Sequence, residues 1–185
     1  MSEKRNTPPL TLGHTTRMVR DMDRMIEFYH DVLGFHVNDR GVVAGTELAF
    51  MSQSTTDHHQ FVLISGDAKP DPAVLLIDHF AFRTGTLDDL RTIRANLLAA
   101  EVDEIMPISH GNAWSLYFRD PEGNGIETFV DTPFHVAQPF AAEEFDLDQS
   151  DDEILEWTRK LAGSGADFQP MEQWRTAFAK RLGHS

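Results

Sequence analysis

The chain contains no cysteine among its 185 residues. Disulfide bonds, thiolate metal sites and cysteine nucleophiles are therefore excluded, and any metal ion must be held by histidine and carboxylate side chains. Positive charge is also scarce, because 16 lysine and arginine residues stand against 30 aspartate and glutamate residues, which gives a net charge of −14. We therefore expect neither a nucleic acid nor an anionic membrane surface as a partner, since both bind clustered positive charge.

Long hydrophobic runs are missing as well. No stretch of 18 apolar residues is present, so we expect no transmembrane helix. The first ten residues carry charge but no apolar segment, and from this we expect no secretory signal and a cytoplasmic location. A hydrophobic content of 41% and a charged content of 25% are typical of a globular protein with one sizeable core, or with two small modules that share a core.

An internal repeat is present, and each copy begins with a histidine. Asp21 follows His14 by seven positions, and Thr86 follows His79 by seven positions. Asp and Thr are both good helix N-caps, and after each of them apolar residues recur with helical spacing. These apolar stripes are Met22, Met25, Ile26, Tyr29 and Leu33 in the first copy, and Leu87, Leu90, Ile93, Leu97 and Leu98 in the second.

Each predicted helix lies between a histidine-bearing strand and three further strands. The histidine strands are predicted over residues 12–19 and 75–83, and the further strands over 37–44, 47–51 and 59–64, then 104–109, 113–118 and 126–130. The turn at residues 120–125, Asp-Pro-Glu-Gly-Asn-Gly, predicts a hairpin. The predicted fold is therefore α+β, with two βαβββ modules that form a curved mixed sheet around a cleft.

The modules are predicted over about residues 8–68 and 73–132, within one domain of residues 1–132. Residues 133–185 form a C-terminal extension with two predicted helices, one from residue 150 or 151 to 161 and one from about 170 to 182. Ile154, Leu155 and Trp157 are the apolar residues of the first helix, and Trp174 and Phe178 are predicted to face inward from the second. We expect this extension to be a clasp on the sheets or on a second subunit, and a lid over the site is the alternative.

His14, His79 and Glu127 are the candidate metal ligands. Histidines at equivalent positions of a repeat can converge on the pseudo-two-fold axis between the copies. Glu127 lies in a mainly apolar strand, where burial of a carboxylate is costly without a cation. A metal ion would remove that cost, and a buried partner, Arg83 or Arg119, is the alternative. Two histidines and one carboxylate are the facial ligand set of non-haem Fe(II) oxygenases, which leaves open positions on the metal.

Two segments carry a resemblance to a known family. Residues 108–127, ISHGNAWSLYFRDPEGNGIE, space His110, Tyr117, the Asp120-Pro121 turn and Glu127 along one motif, and residues 58–61 read His-His-Gln-Phe. In these segments the chain resembles the vicinal oxygen chelate superfamily and, within it, the type I extradiol ring-cleavage dioxygenases of the small one-domain kind. The resemblance covers about residues 8–132 and not the extension.

The resemblance implies a metal centre and a reaction. It implies that His14, His79 and Glu127 bind Fe(II), or less often Mn(II). It implies that His59 acts as acid and base, and that His110 and Tyr117 hydrogen-bond the substrate or bound oxygen. The implied reaction is extradiol (meta) cleavage of a catechol-type aromatic diol with insertion of both atoms of O₂. Small modules of this kind commonly associate, so a homo-oligomer is compatible with the sequence.

Other functions of the same superfamily stay open. Glyoxalase-like isomerases, epimerases and thiol transferases also use a metal, and glyoxalase-like enzymes usually need a fourth protein ligand on the last strand of the first module. Residues 58–66 contain no carboxylate, and Gln60 alternates out of phase with His59, which favours an open coordination sphere. Metal-free binding proteins typically lose the metal residues, and all three are present. The family often has an acidic residue shortly after the position of His110, whereas Gly-Asn-Ala follows here.

Several other residues are assigned structural roles. Strand alternation predicts that His58 points to solvent, opposite to His59. Asp21 and Asp120 are predicted to be cap and turn residues. His30, His36, His135 and His184 show no pairing pattern and are predicted to be surface or structural. Phe50, Phe61, Trp114, Phe129 and the aromatic residues of 134–140 are candidates for either a substrate cavity or the core.

Overall fold

The structure is a computed structural model that describes residues 12–66, 79–140 and 142–181. The chain divides into two compact units, Met1–Pro70 and Asp71–Ser185, and the division falls between the two predicted modules. The predicted strand residues 75–78, the predicted helix end at residue 182 and His184 lie outside the described residues. Within the described ranges, no helix is both long enough and apolar enough to cross a bilayer.

The first unit has the predicted order of elements. Strand β1 covers Thr15–Val19, helix α1 covers Met22–Glu27 and continues as a π-helix over Phe28–Val32, and strands β2 (His36–Val43), β3 (Thr46–Ser52) and β4 (Phe61–Ser65) follow. The sheet order is β1-β4-β3-β2, in which β1 is parallel to β4 and the other pairs are antiparallel. The predicted mixed sheet is therefore present.

Local sequence signals explain the helix of this unit and its core. The Asp21 side chain accepts a hydrogen bond from the Arg24 amide at 3.1 Å, as an N-cap does,. Gly34, just after the helical segment, has φ +76°, which a residue with a side chain adopts only at a cost. The predicted stripe is buried at four of its five positions, and Tyr29 packs on Phe61 with ring centroids 4.6 Å apart.

The two candidate site histidines of this unit, His14 and His59, lie just outside the strands in which they were predicted. The ladder between β1 and β4 begins with the pair Thr15 and Phe61, and the Thr15 amide donates to the Gln60 carbonyl at 3.1 Å. His14 therefore precedes β1 and His59 lies in the loop before β4. The strand prediction was too long at these ends because apolar alternation does not reveal where pairing to a neighbour starts.

The second unit repeats the same order and adds the extension. Its first part contains β5 (His79–Arg83), α2 (Leu87–Ala99), β6 (Met106–Ser109), β7 (Ala113–Arg119) and β8 (Gly125–Asp131). The extension contains β9 (Phe134–His135), β10 (Glu143–Glu144), α3 (Asp151–Ala162), β11 (Gln169–Pro170) and α4 (Met171–Arg181). The main sheet has the order β10-β6-β7-β8-β5, with β5 parallel to β8, and β9 pairs with β11.

Capping confirms two of the three predicted helix starts in this unit. Thr86 and Ser150 each accept a bond from the third residue of the helix, and the side chains of Asp89 and Glu153 bond back to the cap amides, which is a capping box in each case,. Along α2 the prediction for Leu98 was wrong, because it is 60% exposed. A helix that packs on a sheet with one face buries only a narrow stripe of residues, and Leu98 lies beside that stripe.

The extension is part of the core of the second unit. Leu147 is fully buried and Ile154 is 1% exposed, and the Trp114 indole on β7 donates to the Thr158 hydroxyl of α3 at 2.7 Å. Neighbouring residues of a strand point to opposite faces, so α3 covers the face of the sheet opposite to Ser115 and Tyr117. Helix α3 thus takes the position expected of a clasp on the sheet. On α4 the inward prediction fails for Phe178, which is 40% exposed.

Candidate metal centre and its surroundings

A buried carboxylate and a histidine meet on one face of the second unit's sheet. The parallel pairing of β5 and β8 sets Ala81 opposite Glu127, so His79 is a diagonal neighbour of Glu127 on the same face. The His79 Nε2 atom lies 3.1 Å from Glu127 Oε2. The other oxygen, Oε1, accepts a hydrogen bond of 2.6 Å from the Ser115 hydroxyl. Glu127 is only 7% exposed, so both of its oxygens have partners in a buried setting.

The geometry of this pair suits two neighbouring ligands of a first-row metal ion. Metal–ligand bonds of about 2.1 Å at right angles separate the two donor atoms by about 3 Å, close to the observed separation. The two arginines considered as alternative partners bind elsewhere: Arg83 forms an ion pair with Asp131, and Arg119 donates to the Gly123 carbonyl at 2.9 Å. The residues present therefore fit a metal ion at this position.

His110 and Tyr117 lie beside the pair and bond to each other. The His110 Nε2 atom is 3.0 Å from the Tyr117 hydroxyl. Tyr117 is the cross-strand partner of Glu127, and its ring meets the ring of His79 edge to face at a centroid distance of 5.4 Å. Four of the predicted site residues, His79, His110, Tyr117 and Glu127, are thus together in the second unit.

The other two predicted site residues are together in the first unit. The ring centroids of His14 and His59 are 4.6 Å apart, and Phe50 packs edge to face on His59 at 5.2 Å. Partial burial of His59, and the neighbouring imidazoles of His14 and His58, lower the pKa of His59 below its ordinary value of 6.5. Its imidazole is therefore mainly neutral at neutral pH, as a proton acceptor must be.

Gln60, the only side-chain amide of residues 58–66, is used by its own loop. Its side-chain oxygen accepts hydrogen bonds from the Ser52 hydroxyl at 3.3 Å, the Gln53 amide at 3.0 Å and the Ser54 amide at 3.1 Å. These bonds shape the loop between β3 and β4. Strand β4 itself, Phe-Val-Leu-Ile-Ser, carries no carboxylate.

No complete ligand set occurs within one unit. In the part of the chain that the structure describes, neither unit by itself groups three His, Asp or Glu side chains as a metal site. Of the three candidate ligands, His14 lies in the first unit, and His79 and Glu127 lie in the second.

Some residues around the site were missed by sequence reasoning. Ser115 is one, although its in-phase alternation with Tyr117 on β7 was a signal that could have found it. Asp39 is another: its carboxylate contacts His58, which lies next to His59, and no local pattern connects β2 with that loop. His58 was expected to point to solvent, opposite to His59. Its side chain is 56% exposed, as expected, but the Nδ1 atoms of the two rings are 3.0 Å apart. The alternation argument failed because both residues lie in a loop.

The aromatic residues that were candidates for a substrate cavity or the core differ in their positions. Phe61 is fully buried and Trp114 is 6% exposed, so both belong to the core. Phe50 borders His59, and the Phe129 ring lies under the Arg83 guanidinium at 4.7 Å. A cavity of about 170 Å³ opens beside the second unit's group, lined by His79, Met106 and Tyr117 among others.

The profile of the Glyoxalase/Bleomycin resistance protein/Dioxygenase superfamily matches residues 11–128. The chain belongs to this superfamily. The match covers both βαβββ arrangements and ends one residue after Glu127, so this superfamily domain carries a C-terminal extension beyond the matched region.

Individual relatives of this superfamily domain differ in their named activities. Biphenyl-2,3-diol 1,2-dioxygenase 3 of Rhodococcus globerulus is 31% identical over 144 residues, which are 74% of this chain and 73% of that protein. A solved glyoxylase/bleomycin resistance protein/dioxygenase domain from Frankia sp. EAN1pec is 22% identical with a TM-score of 0.59, over 67% of this chain and 93% of its own. The fosfomycin resistance protein FosX of Listeria monocytogenes, solved with Mn(II) and sulfate, is 18% identical with a TM-score of 0.52, over 66% and 93%. At these identities the two solved structures support the fold alone.

Proposed function

We propose that the protein is a metal-dependent extradiol dioxygenase, which opens the ring of a catechol-type aromatic diol beside the diol and inserts both atoms of O₂. The observation that carries this proposal is the His79–Glu127 pair with the bonded His110 and Tyr117 next to it on one sheet face. The pair is suited to hold a metal ion, and the groups beside it can donate protons or hydrogen bonds. A reaction between an aromatic diol and O₂ requires both a metal ion and such donors. The named activity of the Rhodococcus globerulus relative agrees with it.

The metal ligands in this proposal are His14 from the first unit and His79 and Glu127 from the second. Fe(II) is the proposed ion, and Mn(II) is accepted by the same ligand types. When bound, the ion would supply open neighbouring positions at which the diol and O₂ react side by side. Glu127 contributes the only negative charge of this set, so the site retains positive charge that favours a deprotonated diol.

His59 is the proposed base and acid. A diol binds to a cation best after it has lost a proton, and a neutral imidazole can accept that proton. The lowered pKa of His59 keeps its imidazole neutral at neutral pH. The same ring then holds the proton and returns it when the opened product forms. Its place beside His14, with ring centroids 4.6 Å apart, supports this assignment.

His110 and Tyr117 are the proposed hydrogen-bond donors to oxygen. They are bonded to each other at 3.0 Å, so each orients the other before substrate arrives. Donors held in place in this way stabilise negative charge that develops on oxygen, without having to reorganise during the reaction. Tyr117 stands directly across the strands from Glu127, which sets its ring next to the proposed metal position.

The loop bonds of Gln60 favour oxygen chemistry over a glyoxalase-like reaction. A fourth protein ligand would fill a coordination position that O₂ needs. The side-chain oxygen of Gln60 already accepts hydrogen bonds from three donors of its own loop. Strand β4 contains no carboxylate. An open coordination sphere is what the dioxygenase proposal requires.

Oxygen uptake by the anaerobically prepared, Fe(II)-loaded protein tests the proposal. We expect uptake of one O₂ per diol consumed when 2,3-dihydroxybiphenyl or a simple catechol is added, together with the absorbance of a yellow ring-opened product. The matched control is the metal-free protein with the same diols. Absence of uptake from protein that demonstrably holds the metal would overturn the dioxygenase proposal and favour the isomerase or transferase reactions of the superfamily.

Replacement of Ser115 by alanine is expected to weaken metal binding about tenfold, because groups that orient a ligand typically contribute 10–100-fold in affinity. The change removes the 2.6 Å hydrogen bond that holds the Glu127 carboxylate. Chelator competition with Mn(II) measures the effect. Ser109→Ala is the matched control, since Ser109 is also fully buried but accepts from the Gly111 amide. Equal losses in both variants would mean that Ser115 has only a general packing role.

A further inference from the structure

A β-bulge in the first unit directs two neighbouring side chains at one histidine. The pairing of β2 with β3 shifts between Val37 and Asp39, so Asn38 has no partner in the register. Bulges turn side chains in directions that regular strands do not allow. Here the Asn38 amide group donates to the His58 carbonyl at 2.5 Å, and Asp39 Oδ2 lies 2.8 Å from His58 Nε2. The backbone and the ring of His58 are therefore both held from β2.

The bonds continue from His58 to His59. A carboxylate only accepts hydrogen bonds, so Asp39 selects the form of His58 that carries its proton on Nε2. In neutral His58 the Nδ1 atom is then an acceptor. It lies 3.0 Å from the Nδ1 atom of His59, so His59 must donate from Nδ1. The remaining nitrogen of His59, Nε2, is left without a proton and becomes the basic one.

We propose that Asp39 and His58 are positioning residues that hold His59 in the tautomer with a basic Nε2, through the chain of bonds Asp39–His58–His59. This inference rests on the proposed function, because it makes His59 the base of that reaction. A free imidazole exchanges between two tautomers, and only one of them presents a lone pair on a given nitrogen. The bonds from Asp39 through His58 select one tautomer of His59, whereas a surface histidine without such partners would exchange between both.

The contacts of these residues fit positioning better than stabilisation of the fold. The side chains of His58 and Asp39 are 56% and 68% exposed, and exposed pairs of this kind add little to stability. Phe50, the register partner of Asp39, packs against both rings at centroid distances of 6.1 Å for His58 and 5.2 Å for His59. The two rings are thus oriented on an aromatic support while they remain accessible to solvent.

The tautomer of His59 can be read from ¹⁵N NMR of histidine-labelled, metal-free protein at mildly alkaline pH, where imidazoles are neutral. We expect the His59 signal, assigned through its loss in His59→Phe, to show a proton on Nδ1. Asp39→Ala and His58→Phe should each shift the tautomer ratio of His59 about fivefold toward the form with its proton on Nε2. This factor corresponds to the net free energy of one ordinary hydrogen bond. Asp31→Ala is the control, because Asp31 is also an exposed carboxylate that contacts a histidine ring, in this case the Nδ1 atom of His30.

Two results would overturn the inference: a proton on Nε2 of His59 in the unchanged protein, or a tautomer ratio that neither variant moves. In the Fe(II)-loaded enzyme, Asp39→Ala should lower kcat with KM and metal content unchanged, and it should add nothing to His59→Phe, since positioning acts only through His59. The NMR result does not depend on catalysis, so failure of this inference and failure of the proposed dioxygenase activity are distinguishable.

Discussion

Replacement of Glu127 by alanine is expected to abolish metal binding and turnover together. The change removes the only carboxylate of the proposed ligand set and leaves imidazoles, which bind Fe(II) without neutralising its charge. Loss of an orienting group alone costs 10–100-fold in affinity, so we expect loss of a ligand to cost about 100-fold or more. Metal content after dialysis and oxygen uptake with a diol measure the two effects in one preparation.

The thermal stability of this variant separates a metal ligand from a structural partner. A ligand that binds only the folded state raises the unfolding temperature, so Fe(II) or Mn(II) should stabilise the unchanged protein and not Glu127→Ala. Glu144→Ala is the control, because Glu144 is an exposed carboxylate in β10 of the same sheet. If Glu127→Ala kept its metal, the 3.1 Å contact with His79 would be an ordinary buried ion pair and the proposed metal centre would be wrong.

Replacement of His59 by phenylalanine is expected to leave the metal in place and to lower kcat by about 10²–10⁴-fold, the usual contribution of a general acid or base. Phenylalanine preserves a ring against His14 and Phe50, which lie at centroid distances of 4.6 Å and 5.2 Å from His59. It removes the nitrogen that accepts the proton. Steady-state oxygen uptake gives kcat, and anaerobic titration with a diol shows whether substrate still binds.

The control for this variant is His36→Phe, since His36 is an exposed histidine at the start of β2 in the same unit. Its rate should match that of the unchanged protein. Turnover at the normal rate in His59→Phe would remove the acid and base role from His59. Loss of metal in His59→Phe, by contrast, would show that this histidine contributes to binding, and the ligand set would need revision.

Local signals in the sequence were sufficient for much of the fold. Asp21, Thr86 and Ser150 were each predicted as possible helix starts, and each caps a helix. The turn after Arg119 was predicted as a hairpin, and the Asp120 carboxylate holds it by accepting from the amides of Glu122 and Asn124. Caps and turns depend on residues within a few positions of one another, so the sequence displays them directly.

Strand ends were predicted less well, for a reason that affects the site. His14 and His59 were expected within strands but lie just before them. Alternation of apolar residues shows which side chains share a face, whereas the start of a ladder depends on the partner strand. The same limitation explains why the rings of His58 and His59 are not opposite to each other as expected, since alternation has no meaning in a loop.

The sequence by itself determined the two βαβββ units and named six residues for the site: His14, His59, His79, His110, Tyr117 and Glu127. It did so because a repeat and a spaced motif are one-dimensional patterns. Only the tertiary structure decided that Ser115 holds Glu127, that Asp39 reaches His58 from a bulged strand, and that α3 packs through Trp114. These contacts join residues 12, 19 and 44 positions apart, and contacts over such separations are set by strand register and by packing between elements.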